Sequence, residues 1–150
     1  MLVTYAYSHC MLSLRRTNND SIIFCATDKG LFTLNNSEFI VFEDSLINNL
    51  NYSGIVIKDN SLFLSTISWG IFKYDLRNSS VYKYPSKYLD SRGIFIDNEE
   101  IWSLGNFGLV QIQQDSIVTY YSEKNGLPID NIKRVFKDQE NNIWVGTYGK

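Results

Sequence analysis

Histidine is close to absent from this chain: there is one, His9, alongside two cysteines, two prolines and two methionines. That scarcity removes most of the side chains that serve as general bases and metal ligands. His9 and Cys10 are neighbours in sequence, and neighbours in an extended strand point to opposite faces, so they cannot form a thiol–imidazole dyad. Cys10 and Cys25 show no CxxC spacing; a disulfide between them needs only that they face each other, and nothing in the sequence demands one. Charge of one sign is also missing. Fourteen bases against sixteen acids give a net charge of −2, leaving no basic excess to displace counterions from nucleic acid. No run of about 20 apolar residues offers a transmembrane helix, so direct membrane insertion is not expected. Met1 to Leu14 is mildly apolar, but its cations, Arg15 and Arg16, follow the apolar run, which is the wrong order for a secretory signal.

What the chain does have is aromatic residues and asparagine. Twenty-two Trp, Tyr and Phe in 150 residues, with 44% hydrophobic residues overall, supply one domain's worth of core and exclude a disordered tail. Fifteen asparagines, which tolerate left-handed turn geometry and disfavour strands, point to short strands joined by tight turns.

The strongest signal is a repeat. The pairs Ile23-Phe24, Leu62-Phe63, Ile101-Trp102 and Ile143-Trp144 place aromatics 39, 39 and 42 residues apart. Three residues after each aromatic come Thr27, Thr66, Gly105 and Thr147. Gly30, Gly70 and Gly108 follow, and then Leu31-Phe32, Ile71-Phe72 and Leu109-Val110. Landmarks in fixed order at a period near 40 imply a repeat architecture. Within the third unit, GIFID, EIWSL, GLVQIQ and SIVTYY read as four short strands separated by turns, and no segment carries a capped 3.6-residue apolar period.

Four antiparallel strands per unit describe the blade of a β-propeller, and the fold class expected is all-β. The units run over about 9–43, 53–85 and 92–122, with a fourth over 130–150 that stops before its third strand. The first strands are expected near Cys10–Arg15, Gly54–Lys58, Arg92–Ile96 and Asn131–Lys137; the fourth near Phe39–Phe42, Val81–Tyr84 and Ile117–Tyr121. The aromatics of the second strands should pack between blades, because one blade cannot bury its own faces. The incomplete count reads as part of a propeller, with Leu2–Tyr7 as a strand of a preceding unit or as a ring-closing strand. Such an arc has open strand edges, which predicts marginal stability alone or self-association.

The fourth unit, YYSEKNGLPIDNIKRVFKDQENNIWVGTYG over Tyr120–Gly149, resembles the two-component regulator propeller repeat. The matching residues are Asn125, Gly126, Leu127, Pro128, Asn131, Ile132, Asp138, Ile143, Trp144, Gly146 and Thr147. The earlier units match less well: Asp28 to Phe32 keeps the x-x-G-L-(F/Y) element, while GLP is missing from the first two. The resemblance implies a piece of a seven-bladed sensor ectodomain of Bacteroidetes hybrid two-component proteins. Such a piece would be periplasmic within a membrane-anchored parent, responsive to carbohydrate fragments, and coupled there to a histidine kinase and a DNA-binding regulator that these 150 residues do not contain. It implies no cofactor.

Few residues suggest chemistry. Asp138, Glu140 and Asn142 alternate as in a calcium loop, but without the glycine and distal glutamate of an EF-hand, and a polar turn needs the same residues. Glu43-Asp44 and Glu99-Glu100 are adjacent acids, whereas glycoside hydrolysis needs two carboxylates from separate elements. The Asn-x-Ser triplets at Asn19, Asn35, Asn51 and Asn78 match a glycosylation pattern that an Asn- and Ser-rich chain produces by chance. More informative are the turns between second and third strands, which share one end of each blade with the connections between blades. That end gathers Asp28, Lys29, Ser68, Trp69, Asn106, Phe107, Asn125 and Tyr148. An exposed Trp69 or Phe107 beside amides and hydroxyls suits stacking on a sugar ring; the alternative is that both fold back into blade packing. Three functions follow: an oligosaccharide-sensing, non-catalytic segment; a scaffold that binds other blades or itself; and a propeller-based lyase or glycan hydrolase.

Overall fold

The structure is a computed structural model that describes residues 10–16, 21–84, 90–98, 100–114 and 116–148. His9, the segment Leu2–Tyr7 and Glu99 lie outside the described residues. Among the described residues, fourteen strands form three four-stranded antiparallel sheets and one two-stranded sheet, each sheet meandering in chain order. Blade 1 is β1 (Cys10–Arg16), β2 (Ser21–Thr27), β3 (Gly30–Asn35) and β4 (Glu38–Val41). Blade 2 is β5 (Tyr52–Lys58), β6 (Ser61–Thr66), β7 (Gly70–Asp75) and β8 (Ser80–Lys83). Blade 3 is β9 (Ser91–Asp97), β10 (Glu100–Gly105), β11 (Gly108–Gln113) and β12 (Ser116–Tyr121). The hairpin β13 (Ile132–Lys137) and β14 (Ile143–Thr147) begins blade 4. The fourth strands of blades 1 and 2 end one residue before Phe42 and Tyr84.

Tight turns explain the asparagine content. Asn36, Asn98 and Asn141 all sit at positive φ, as do Asp59 and Gln114, where a β-branched residue would be strained. Gly30 and Gly108, at the start of their third strands, combine positive φ with a close approach. A Cβ on either would lie 2.1 Å from a carbonyl oxygen where the chain leaves the blade, that of Asn48 in the connection or of Tyr121 at the end of β12. The glycine of the repeat is therefore the point where one blade hands the chain to the next.

The core lies between blades. Phe24, Ala26 and Leu31 of blade 1 cluster with Tyr52, Leu62, Leu64, Phe72 and Tyr74 of blade 2. Phe63, Ile71 and Tyr84 of blade 2 cluster with Ile101, Val110 and Ile112 of blade 3. Trp102, Leu104 and Leu109 of blade 3 cluster with Ile132, Val135, Ile143 and Val145 of blade 4. Each second-strand aromatic of blades 1 to 3 thus faces the following blade, as expected from the inability of a single sheet to cover itself. Phe42 links the first interface edge-on to both Phe24 and Tyr74, at 5.6 and 5.3 Å between ring centroids.

First strands of adjacent blades lie side by side. Between β5 and β9 the contact is polar and buried: Ser53 Oγ bonds the Ser91 carbonyl and lies 3.1 Å from Ser65 Oγ, while Ser91 Oγ is 2.8 Å from Ser103 Oγ. Gly54 permits this approach, since a Cβ there would meet Ser65 Oγ at 2.6 Å and Ile94 N at 3.1 Å. One core element carries no repeat signature. The connection after blade 1 turns through residues 44–49 and drops Ile47 into the first interface, fully buried, where its carbonyl accepts a bond from the Tyr52 hydroxyl. Burial, aided by the nearby Asp44 charge, raises the Tyr52 pKa.

Candidate ligand-facing end of the blades

The turns between second and third strands and the interblade connections do meet at one end. Leu31 N donates to Asn48 O, Ile67 N to Asn51 O, and Tyr148 N to Asn131 O, tying the turns of blades 1, 2 and 4 to the segments between blades. Within the turns, the repeat's threonine is a structural clasp. Thr27 and Thr66 hydroxyls donate to the carbonyls of Gly30 and Gly70 at 3.0 and 2.8 Å.

In blade 3 the clasp position holds Gly105, which has no side chain, and this decides where the turn aromatic goes. The Phe107 ring lies where a Gly105 side chain would be, 2.8 Å from an added Cβ, and packs partly buried against the second interface. In blade 2, where Thr66 fills that place, Trp69 stays outside and is 55% exposed. Lys83 Nζ stands 5.5 Å from the centre of its ring, held there because Lys83 pairs with Phe72 across β7 and β8.

The other positions divide similarly. Lys29 is exposed, Asp28 half-buried, and Ser68 exposed at φ +79°. Asn106 donates from Nδ2 to Asp90 at 2.9 Å, and Asp90 also receives the Arg92 guanidinium at 2.9 and 3.1 Å. Tyr148 is exposed with Lys133 Nζ 5.7 Å from its ring centre. Asn125 serves its own loop: its Oδ1 accepts from Ser122 N and Ser122 Oγ, and its Nδ2 donates to Tyr120 O. Around it Gly126 supplies φ +121°, Leu127 packs on the third interface, and Glu123 and Asp130 exchange backbone-to-carboxylate bonds. The NGLP motif is thereby a folded connector whose hydrogen bonding is internal.

Among the described candidates, Lys29, Ser68, Trp69 with Lys83, and Tyr148 with Lys133 present outward at this end. The two lysine partners and Asp90 were not singled out from sequence. Their role depends on strand register and on the end of the blade they reach, neither of which a linear motif encodes. Open grooves in the described surface lie at the opposite end, around Lys58, Lys73, Asp75 and Arg77 of blade 2 and around Glu100, Gln113 and Lys137 at blades 3 and 4. There Arg77 pairs with Asp75 at 3.0 Å and Lys137 with Asp97 at 2.7 Å, the latter joining two blades.

Asp138 closes the blade 4 hairpin. Its carboxylate accepts Trp144 Nε1 at 2.7 Å, Asn142 Nδ2 at 3.0 Å, and the backbone N–H groups of Asn142 and Glu140 at 2.8 and 2.9 Å. Led by the bonds from Trp144 and Asn142, these donors lower its pKa from 3.8 to about 2. A carboxylate with a depressed folded pKa stabilises above its unfolded value, and that contribution disappears as pH falls through the folded one. As pH falls through about 2 the Trp144 indole N–H resonance should therefore lose its hydrogen-bonded shift, and Asp138→Asn should abolish the transition. An indole signal that titrates with the bulk carboxylates near pH 4 would refute the assignment.

Residues 126–149 match the family model described as the two component regulator propeller. Among curated proteins none matches the chain. Among solved structures, the extracellular domain of the BT4673 system of B. thetaiotaomicron superposes with a TM-score of 0.72 at 23% identity, over 93% of this chain and 19% of that one. The extracellular domain of the BT3049 hybrid two-component system of B. thetaiotaomicron gives 0.71 at 22%, over 95% and 20%. The computationally designed Ika8 protein gives 0.64 at 10%, over 91% and 42%. The chain thus spans about a fifth of the length of the two natural domains. Such identities establish fold alone. With the sheet order and interblade cores above, they make this chain a run of β-propeller blades whose fourth unit carries the two-component regulator propeller repeat over residues 126–149.

Proposed function

We propose that the chain is a non-catalytic, ligand-sensing segment of a two-component regulator ectodomain, acting outside the inner membrane and responding to oligosaccharides. The observation that carries the proposal is Trp69. It is a large aromatic surface held in solvent at the end where turns and interblade connections meet, with a cation fixed beside it. Sugar rings present C–H faces that stack on such a ring and hydroxyls that accept from a neighbouring ammonium. The repeat at residues 126–149 supports the sensory setting, as does likeness to extracellular domains of bacterial signalling systems. The non-catalytic reading is supported by the carboxylates that are already engaged. Asp75 is paired with Arg77, Asp90 with Arg92 and Asn106, Asp97 with Lys137, and Asp138 closes its own hairpin.

Isothermal titration of the 150-residue chain with cellohexaose, xylohexaose and maltohexaose tests the proposal. Binding of at least one is expected, with quenching of tryptophan fluorescence. Trp69→Ala should weaken it about tenfold, the loss of one stacking contact worth roughly 1–1.5 kcal/mol. Binding that is indifferent to Trp69, or release of shorter sugars on incubation, would overturn the site or the non-catalytic reading respectively.

A further inference from the structure

The interface between blades 2 and 3 changes character at the end opposite Trp69. Phe63 and Ile71 pack blade 2 on blade 3. Strand register then places Lys73 across from Phe63, and Asp75 across from Ser61, on the same side of the sheet. The apolar interface therefore gives way to polar residues, which line an open groove of about 440 Å³ together with Lys58, Asp59 and Arg77. That volume is within the range of small-molecule sites, about 300–1,000 Å³. Lys58 crosses toward blade 3 there, bonding the Asn98 carbonyl in the β9–β10 turn.

The next interface shows what such a place holds when the protein completes it. Glu100 faces Asp97 in blade 3 as Ser61 faces Lys58 in blade 2, so Glu100 and Ser61 are equivalent positions. The Glu100 carboxylate is met from within: Gln113 Nε2 donates to it at 3.0 Å, and Lys137 Nζ of blade 4 lies 3.7 Å away. Blade 2 has the cation without the acid. Lys73 Nζ stands 5.7 Å from the centre of the Phe63 ring, with no carboxylate in ion-pair range among the described residues. Asp75, two residues on, already accepts Arg77 Nε at 3.3 Å and Nη2 at 3.0 Å. Ser61 is 7% exposed and lines the groove, and its hydroxyl has no hydrogen-bond partner among the described residues. A buried hydroxyl and an ammonium thus stand where the equivalent position of blade 3 places a carboxylate.

We infer that this groove binds a small sugar acid, a uronate of monosaccharide size. The ligand supplies the negative charge that Glu100 supplies in blade 3. Its carboxylate accepts from the Lys73 ammonium and the Ser61 hydroxyl, and its ring hydroxyls donate to the carboxylate of Asp59, exposed at the rim. Three cations against two acids in the lining favour an anion, although the chain as a whole carries −2. The inference is independent of the sensing proposal, since it uses neither Trp69 nor that end of the blades. Neutral hexaoses probe the one site and a charged monosaccharide the other.

Titration of the nitrogen-15-labelled 150-residue chain with sodium glucuronate, followed by amide chemical shifts, tests the inference. Saturable shifts at Ser61 and Lys73 are expected, and added salt should weaken them. Glucose, which lacks the charge, and acetate, which lacks the hydroxyls, should each bind at least about tenfold more weakly. Lys73→Gln should weaken glucuronate binding about tenfold or more, as for loss of one charge-assisted hydrogen bond. Ser61→Glu should weaken it as much, by carrying a carboxylate into the groove from the protein itself. Far-ultraviolet circular dichroism of both variants should match the parent, because Lys73 is half-buried and glutamate already stands at the equivalent position of blade 3. Where Ser61→Glu perturbs the fold, Lys73→Gln decides. Shifts that do not saturate, or that are unchanged in Lys73→Gln, overturn the inference. So does acetate binding as tightly as glucuronate, which would mark an adventitious anion only.

Discussion

Trp102→Ala is expected to destabilise the chain by about 3–5 kcal/mol, the usual cost of emptying a large aromatic site in a core. The ring is 3% exposed, packs among Leu104, Leu109 and Ile132, and stacks at 6.2 Å and 26° on Tyr121. Trp144→Ala, at the same position of the repeat, should cost the monomer less than about 1.5 kcal/mol, because its ring is mostly in solvent and the main loss is one hydrogen bond to Asp138. Trp102→Phe should also be mild, within about 1.5 kcal/mol. Trp102 Nε1 is buried with no acceptor, so phenylalanine removes an unsatisfied donor along with some volume. Phenylalanine already fills the position in blades 1 and 2, as Phe24 and Phe63. Denaturant midpoints at unchanged slope measure all three. Equal losses for the two alanine variants would mean that the Trp144 ring is enclosed rather than in solvent.

Gly108→Ala is expected to cost more than about 4 kcal/mol, placing it among the rare large single-residue effects. Two penalties coincide there. The backbone at φ +108° disfavours any L side chain, worth roughly 1–3 kcal/mol, and the new Cβ would sit 2.1 Å from Tyr121 O. That carbonyl belongs to the end of β12, so relief requires shifting the exit of the blade. Gly126→Ala separates the two terms: its φ is +121°, yet nothing lies within 4 Å of an added Cβ, so only the strain should appear. Thermal unfolding followed by circular dichroism distinguishes them. If Gly108→Ala costs no more than Gly126→Ala, the close approach contributes nothing.

Much of this architecture was legible because the repeat is written in residues whose reasons are local. A glycine recurs where backbone meets backbone, an asparagine where a two-residue turn needs positive φ, and an aromatic where a blade face must be covered. Four strands per unit, their order and their near boundaries followed from these alone. Ile47 was not legible, since it lies in a polar, turn-rich stretch with no counterpart in the other units, and only its fully buried place in the first interface reveals it. The fate of the turn aromatics was open in the same way. Trp69 and Phe107 look alike in sequence, and the difference between Thr66 and Gly105 becomes meaningful only once the ring is seen to occupy the missing side chain's space.

By itself, then, the order of residues determined the period, the sheet content and the inability of any unit to stand alone, because hydrogen bonding within a hairpin and the alternation of faces are local matters. Tertiary structure decided which aromatic is buried and which is not, since burial belongs to pairs of blades. It left Phe136 and Trp144 in solvent while their blade 3 counterparts are enclosed, and it placed Lys83 over Trp69. Both outcomes depend on surfaces brought together from distant parts of the chain, and no spacing along the sequence specifies them.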